Sequence, residues 1–361
     1  MFKIRWKIKK RLCVGLSLLL AASAFAGCGD GFDEDEIVVD EATSSSTAVF
    51  DLEQEEMMMD EVYLYTIQCM YLYGTTPDEY TEDPDTYKSL IIEQIEQMKG
   101  VYYAAVEAGV ELTEEQEESI ETSVDNYYTT FGEDTFARYG ITRETVTKLF
   151  TEQTYATALQ NNTQSEKYTE LYEEYTEAYE DTDFMTFYYL RFPIYELDED
   201  GAPVEGDDDG GVLLSEAEQA EMLALCEEAK TRLEAGEDAA TLAEEYGVDQ
   251  VSGEQSGFIG AFGDVLNETL EDMKEGETSD IIESNTGYIL IYLESENDET
   301  LKASYIELNA TTDASYYVED KLEEWQNNVS ISEDNYINYK WYDIEFEDVC
   351  EYLEYKGLYN E

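Results

Sequence analysis

The sequence predicts an α+β protein, and three observations carry that expectation. Apolar residues recur at helical spacing through the stretch from Ala48 to Asp181, with capping signals between the runs. Aromatic and β-branched runs gather later, at Phe184–Phe192, Ile281–Glu283 and Tyr288–Leu293. Between them lie charged amphipathic helices and a Gly/Ser-rich loop holding Gly253, Gly257 and Gly260. With 361 residues, 43% hydrophobic and 13% aromatic, the chain has room for two or three domains and a real core.

Residues 1–27 have the three parts of a secretory signal: a basic start (Lys3, Arg5, Lys7, Lys9, Lys10, Arg11), an apolar core from Leu12 to Ala22, and small residues at the end. Phe25-Ala26-Gly27-Cys28 resembles a bacterial lipobox, with Phe25 in place of the usual aliphatic residue. The resemblance implies lipidation of Cys28 and an anchor on the outer face of the bacterial cytoplasmic membrane; the competing reading is an ordinary cleaved signal with an incidental cysteine. Residues 28–47 are acidic and Ser/Thr-rich, as expected of a flexible tether. No second apolar run approaches the ~20 residues that span a bilayer.

The charge is extreme, with 87 acidic against 20 basic residues and a net of −67. Loss of the leader takes six basic residues and no acidic one, so the net becomes −73. Such a surface repels nucleic acid and anionic lipid. Histidine is absent, which removes His-based triads, most catalytic zinc sites and the usual base near neutral pH. No cofactor or metal is expected. Cys69, Cys226 and Cys350 are widely spaced and read as buried thiols, with a disulfide among them left open.

A helical domain is expected over 48–182. Phe50-Asp51-Leu52 is a short strand or lead-in to a Met/Tyr-rich helix over Met57–Tyr73, broken by Gly74, Pro77 and Pro84. That stretch reads first as core and second as a soft surface for unfolded chains. Ile91, Ile95, Met98, Tyr102 and Ala105 form the next helical stripe, ended by Gly109. Thr113 and Gln116 form a capping box, and Gly140-Ile141-Thr142 opens another helix. The run Ala104–Gln116, with Gly140-Ile141-Thr142, resembles the N-terminal chaperone domain of SurA- and PrsA-type foldases.

The domain expected over 183–298 opens on the Phe184–Phe192 run, ended by Pro193. An acidic loop from Asp198 to Gly211 follows; Asp198, Asp200 and Asp207 to Asp209 lack EF-hand spacing, and a solvated insertion is the expectation. After the helix Ser215–Ala235 come Gly236-Glu237-Asp238-Ala239, Leu242–Asp249, Ser256–Phe262, Lys274–Ser279 and Thr286–Ile289. These blocks, in this order, resemble a parvulin-type peptidyl-prolyl isomerase domain, which implies a small, mostly antiparallel sheet flanked by helices. The resemblance places Asp249 where the family keeps its central Cys or Asp, with a turn-capping role the equal alternative. Tyr189 and Ile289 stand where the family has histidines. Phe262, Leu266 and Leu270 fall where it lines its proline pocket. The site residues implied are therefore Asp249 and Tyr189 for catalysis and Phe262, Leu266, Leu270 and Ile289 for substrate binding.

The segment 299–361 is expected to pack back on the helical domain through Tyr336, Tyr339, Trp341 and Tyr342. It should hold a strand over Leu301–Leu308, a helix over Ala314–Asn327 and a short helix through Val349 and Leu353. The function implied is a membrane-anchored extracytoplasmic folding factor acting on unfolded or partly folded secreted polypeptides. The alternative is a non-catalytic holdase on a degenerate parvulin scaffold, and a distant one is an acidic cation-binding surface lipoprotein. No nucleic-acid partner is expected, the only membrane contact is the anchor, and a homodimer is left open.

Overall fold

A computed structural model describes residues 45–205, 211–338, 341–342 and 344–358. The leader, Cys28, residues 28–44 of the tether, Asp207 to Asp209 and Tyr339 lie outside the described residues. The chain forms two compact units, one reaching to Lys167 and resuming at Ser315, the other spanning Tyr168–Ala314. The sequence boundaries at 182/183 and 298/299 follow changes of element type; the compact units divide instead inside two long helices.

The first unit opens on strands β1 (Ala48–Asp51) and β2 (Glu56–Met58), paired antiparallel. Helix α1 (Met59–Tyr73) follows, without a side-chain cap at Met58. Its first amides are met otherwise: Met59 N donates to Thr47 O at 2.9 Å and Asp60 N to Ser45 O at 3.2 Å. Residues 45–47, expected as the end of the tether, thus serve as backbone cap for α1. Pro77 and Pro84, expected as breaks, each occupy the first turn of a helix, α2 (Pro77–Glu82) and α3 (Pro84–Glu107). Helices α4 (Glu114–Phe131), α5 (Glu133–Arg138) and α6 (Arg143–Ala178) complete this run, and the Thr113/Gln116 capping box opens α4 as expected.

The Met/Tyr-rich stretch is core: Met57, Met59, Tyr63, Tyr65, Ile67 and Met70 are all buried. Far along the chain, helix α11 (Glu347–Tyr355) returns to α1 and α2. Trp341 is fully buried, its ring edge-on to Phe50 at 5.0 Å, and Phe346 N donates to Tyr80 Oη at 3.1 Å. Cys69, Cys226 and Cys350 are buried free thiols.

In the second unit, β3 (Phe184–Pro193) leads to α7 (Glu216–Glu234), opened by a Ser215/Glu218 capping box, and α8 (Ala239–Glu245), capped by Asp238. Strand β4 (Gly253–Phe258), helix α9 (Asp264–Glu271), β5 (Ile282–Ser284) and β6 (Gly287–Ser295) follow. The sheet order is β4-β3-β6-β5, with every pair antiparallel. Two expectations are corrected. The Gly/Ser-rich loop is in part β4, because its backbone pairs along β3 from Phe184 to Tyr189 whatever its poor β propensity. Leu301–Leu308 is not a strand; it lies within the 28-residue helix α10 (Glu299–Gln326), which buries Ile306, Ala310 and Ala314 at four-residue spacing.

No helix among the described residues is long and apolar enough to cross a membrane.

Candidate functional site

The two sheet faces of the second unit carry different cores. On one, Leu190, Phe192 and Leu290 pack with Cys226, Ala229 and Leu233 of α7 and Leu242 and Ala243 of α8. On the other, Phe187, Ile291 and Leu293 pack with Leu270 and Met273, and half-buried Tyr189, Ile259, Phe262 and Leu266 lie against them. Register makes the second face explicit. Tyr189 stands opposite Ile291, and Arg191 opposite Ile289, so these four share a face.

Leu270 is wholly buried and packs with half-buried Phe262 and Leu266, while Ile289, 6% exposed, lies farther along β6 on the same sheet face. Phe262 is held from two sides. Its ring meets Phe187 edge-on at 5.0 Å and crosses Gly257, where an added Cβ would sit 2.9 Å from Phe262 Cζ. Its loop is pinned by Asn267 Oδ1, which accepts from Gly260 N at 2.9 Å and Phe262 N at 3.4 Å. Opposite Tyr189 on β4 is Gly253, with open space where a side chain would project. The closing block is stitched to β6: Ser279 N donates to Ile291 O at 2.8 Å, and Ser279 Oγ accepts from Ile291 N at 2.9 Å.

The structure brings Tyr189, Phe262, Leu266, Leu270 and Ile289 to this face, but not Asp249. Asp249 is exposed at the start of a short turn, Asp249–Val251. Val248 and Val251 beside it pack on the opposite face, and its charge acts on Tyr188 of that face. Burial pushes the Tyr189 phenol up, and the charge that acts on it is the Arg191 guanidinium, which draws it back. Sequence reasoning missed Arg191 and Asn267. The alternation of β3 could have placed Arg191 beside Tyr189; nothing in the sequence marks Asn267 as a loop pin.

A second polar constellation lies in the first unit. Lys99, its side chain fully buried, donates to Glu152 at 2.6 Å and Glu55 at 2.7 Å, with Glu61 at 3.4 Å. Lys148 pairs with the same Glu55 and Glu61 at 2.6 and 2.8 Å. The three carboxylates offer oxygens within 4.8 Å of one another, the spacing of a cation site, and the Lys99 ammonium stands among them. Burial pushes Glu152 up to about 7 against the pull of Lys99. Burial also raises Glu55, but Lys99 and Lys148 outweigh it and hold the group at about 2. A cleft of about 470 Å³ opens here, lined by Glu55, Tyr102, Tyr103, Glu144, Lys148 and Glu152.

No curated protein sequence matches the chain. Among solved structures, it is similar to foldase protein PrsA from Streptococcus pneumoniae at 17% identity, covering 71% of this chain and 89% of that one, with a TM-score of 0.28. Peptidylprolyl isomerase PrsA from Bacillus cereus is 13% identical, with 85% and 99% covered and a TM-score of 0.30. A SurA-like chaperone structure from Campylobacter jejuni is 13% identical, with 81% and 99% covered and a TM-score of 0.23. The rotamase family, described as a PPIC-type PPIASE domain, matches residues 208–295. That match takes in β4, α9, β5 and β6 and leaves out β3, which carries Tyr189 and Arg191. The stretch 208–295 therefore belongs to the PPIC-type peptidyl-prolyl isomerase domains.

Proposed function

We propose that this chain is an extracytoplasmic protein-folding factor whose PPIC-type domain seats proline-bearing segments of unfolded polypeptides and speeds their isomerisation modestly. The observation that carries this reading is the apolar seat itself: half-buried Phe262 and Leu266 packed with Leu270 and Ile291, bordered by Tyr189 and by open space at Gly253. Rotation about an X–Pro bond meets a barrier of ~18–20 kcal/mol, held by amide resonance. Holding the ring in an apolar seat while the amide twists lowers that barrier only where the seat fits the twisted form better than the planar one. With no histidine and Asp249 exposed on the other side, the seat has little polar support, which is why the rate gain is modest. In this reading Tyr189 borders the reacting amide, while Phe262 and Leu266 contact the ring.

Lipid attachment at Cys28 would hold the protein on the outer face of the membrane, and the acidic tether would keep its body off that surface. Ile289, apolar and buried at a position where the family resemblance calls for histidine, favours a second reading, in which the face binds chains without isomerising them.

Proline-limited refolding of a substrate protein tests the proposal. Acceleration by wild type, lost in Leu266→Ala, is expected. An unchanged refolding rate with suppressed aggregation would establish the holdase reading instead, and no effect on either would remove both.

A further inference from the structure

Arg191 is the odd side chain of the second unit. It sits on β3 two residues beyond Tyr189, opposite Ile289 on β6, and therefore on the face that carries Phe262 and Leu266. In a chain with 87 acidic and 20 basic residues, most described arginines and lysines of this unit find acceptors: Arg232 pairs with Glu237 and Glu245, Lys230 with Asp280, and Lys302 donates to Glu180 O. Arg191 has no such partner among the described residues. Its Nε is buried without a hydrogen-bond acceptor, and its guanidinium acts on the Tyr189 phenol. A half-buried guanidinium with an orphan N–H is costly to hold, because a buried donor without a partner has given up its water without gaining an acceptor.

Resting on the reading of this face as a seat for proline segments, we propose that Arg191 is a catalytic residue, its guanidinium donating to the X–Pro amide as that amide twists. The chemistry asks for such a donor. In the planar amide the nitrogen lone pair is delocalised into the carbonyl and accepts no hydrogen bond. Twisting by about 90° breaks that resonance and returns the lone pair to nitrogen, which becomes an acceptor. A donor fixed beside the seat is then satisfied in the transition state and idle in both ground states, the condition under which an interaction lowers a barrier. No bond forms or breaks and no proton moves. The open space at Gly253, opposite Tyr189, leaves room for the chain flanking the proline to cross this end of the sheet. The same arrangement supplies the polar function that the histidine-free face otherwise lacks.

The test uses the full chain and a short unstructured X–Pro peptide. Its cis–trans exchange is followed by NMR, and its binding by fluorescence anisotropy. Arg191→Gln keeps length and polarity but removes the charge and Nε–H; the expected result is a loss of at least about tenfold in rate acceleration with peptide affinity within about twofold of wild type. Arg191→Lys, which keeps a charge but not the planar fork, is expected to fall between the two. Thermal melting guards against simple unfolding. Equal acceleration by wild type and Arg191→Gln, or a parallel loss of affinity and rate, overturns the role of Arg191 alone and leaves the seat standing. If wild type binds the peptide but leaves its exchange at the uncatalysed rate, the isomerase reading falls and this inference with it.

Discussion

Replacing Lys99 by Met keeps an unbranched side chain of similar reach in the core of the first unit and removes only the charge. What remains is Glu152, 2% exposed, and Glu61, 7% exposed, with Glu55, facing the single ammonium of Lys148. Lys148 pairs with Glu55 and Glu61, so Glu152 loses the ammonium that stood 2.6 Å from it. Removing one member of a buried ion pair costs about 3–5 kcal/mol, because the charge left behind stays desolvated. Against a total of about 5–15 kcal/mol for an ordinary domain, that is a large fraction. Urea unfolding followed by tryptophan fluorescence reads this unit directly, since Trp325 and Trp341 both belong to it. The loss should also depend on pH. Without Lys99, Glu152 titrates further above its unfolded value, so the folded variant binds the extra proton and regains stability as pH falls. The cost should therefore be full at pH 8 and clearly smaller at pH 5. A cost below about 1 kcal/mol, or one equal at both pH values, would refute the view that Lys99 neutralises a desolvated cluster.

In wild type, Glu152 at about 7 favours the fold below its unfolded range near 4.5 and loses that contribution as pH rises through 7. Glu55 at about 2 has the opposite sign, contributing above 4.5 and losing its share as pH falls toward 2. Glu152→Gln should thus flatten the stability profile between pH 5 and 7 and leave the acid limb intact, as urea midpoints across that range would show. Gly257→Ala should push the Phe262 ring off Phe187 and weaken peptide binding several-fold with little change in melting, because Gly257 has no positive φ and only the 2.9 Å approach to Phe262 is affected. Asp249→Ala should leave proline-limited refolding unchanged, and a large loss would place that carboxylate at the seat after all. Cys28→Ala should abolish incorporation of labelled palmitate and move the protein from the membrane to the soluble fraction, whereas unaltered labelling would exclude Cys28 as the attachment point.

Local signals in the sequence translated well into structure. The Thr113/Gln116 box, the helix ended near Gly109 and the runs at Phe184–Phe192 and Tyr288–Leu293 all appear as expected, since caps and periodicity are written in neighbouring residues. Where pairing or long-range packing decides, local pattern failed. Gly253–Phe258 has little β propensity and becomes a strand only because the edge of β3 is there to receive it. Leu301–Leu308 was expected to be a strand, yet Ile306, Ala310 and Ala314 continue a helical stripe that no short window reveals. The apolar residues that the structure brings to the Tyr189 face lie in the ordered blocks of the sequence, but the position of Asp249 relative to the sheet depends on which way one turn faces. The Lys99 cluster was invisible, because its five members are scattered from Glu55 to Glu152 and meet only after α1, α3 and α6 pack. Arg191 looked like any strand arginine; its Nε, buried without an acceptor among the described residues, shows only in the folded chain.

The most direct test of the account is the cis–trans exchange rate of an X–Pro peptide with the intact chain, by NMR, for wild type and Phe262→Ala. The uncatalysed exchange takes tens to hundreds of seconds at 25 °C, so even a modest catalyst is visible. The account predicts faster exchange with wild type and a return to the uncatalysed rate with Phe262→Ala, both proteins melting alike. Exchange unaltered by wild type, or equally fast with Phe262→Ala, would contradict it.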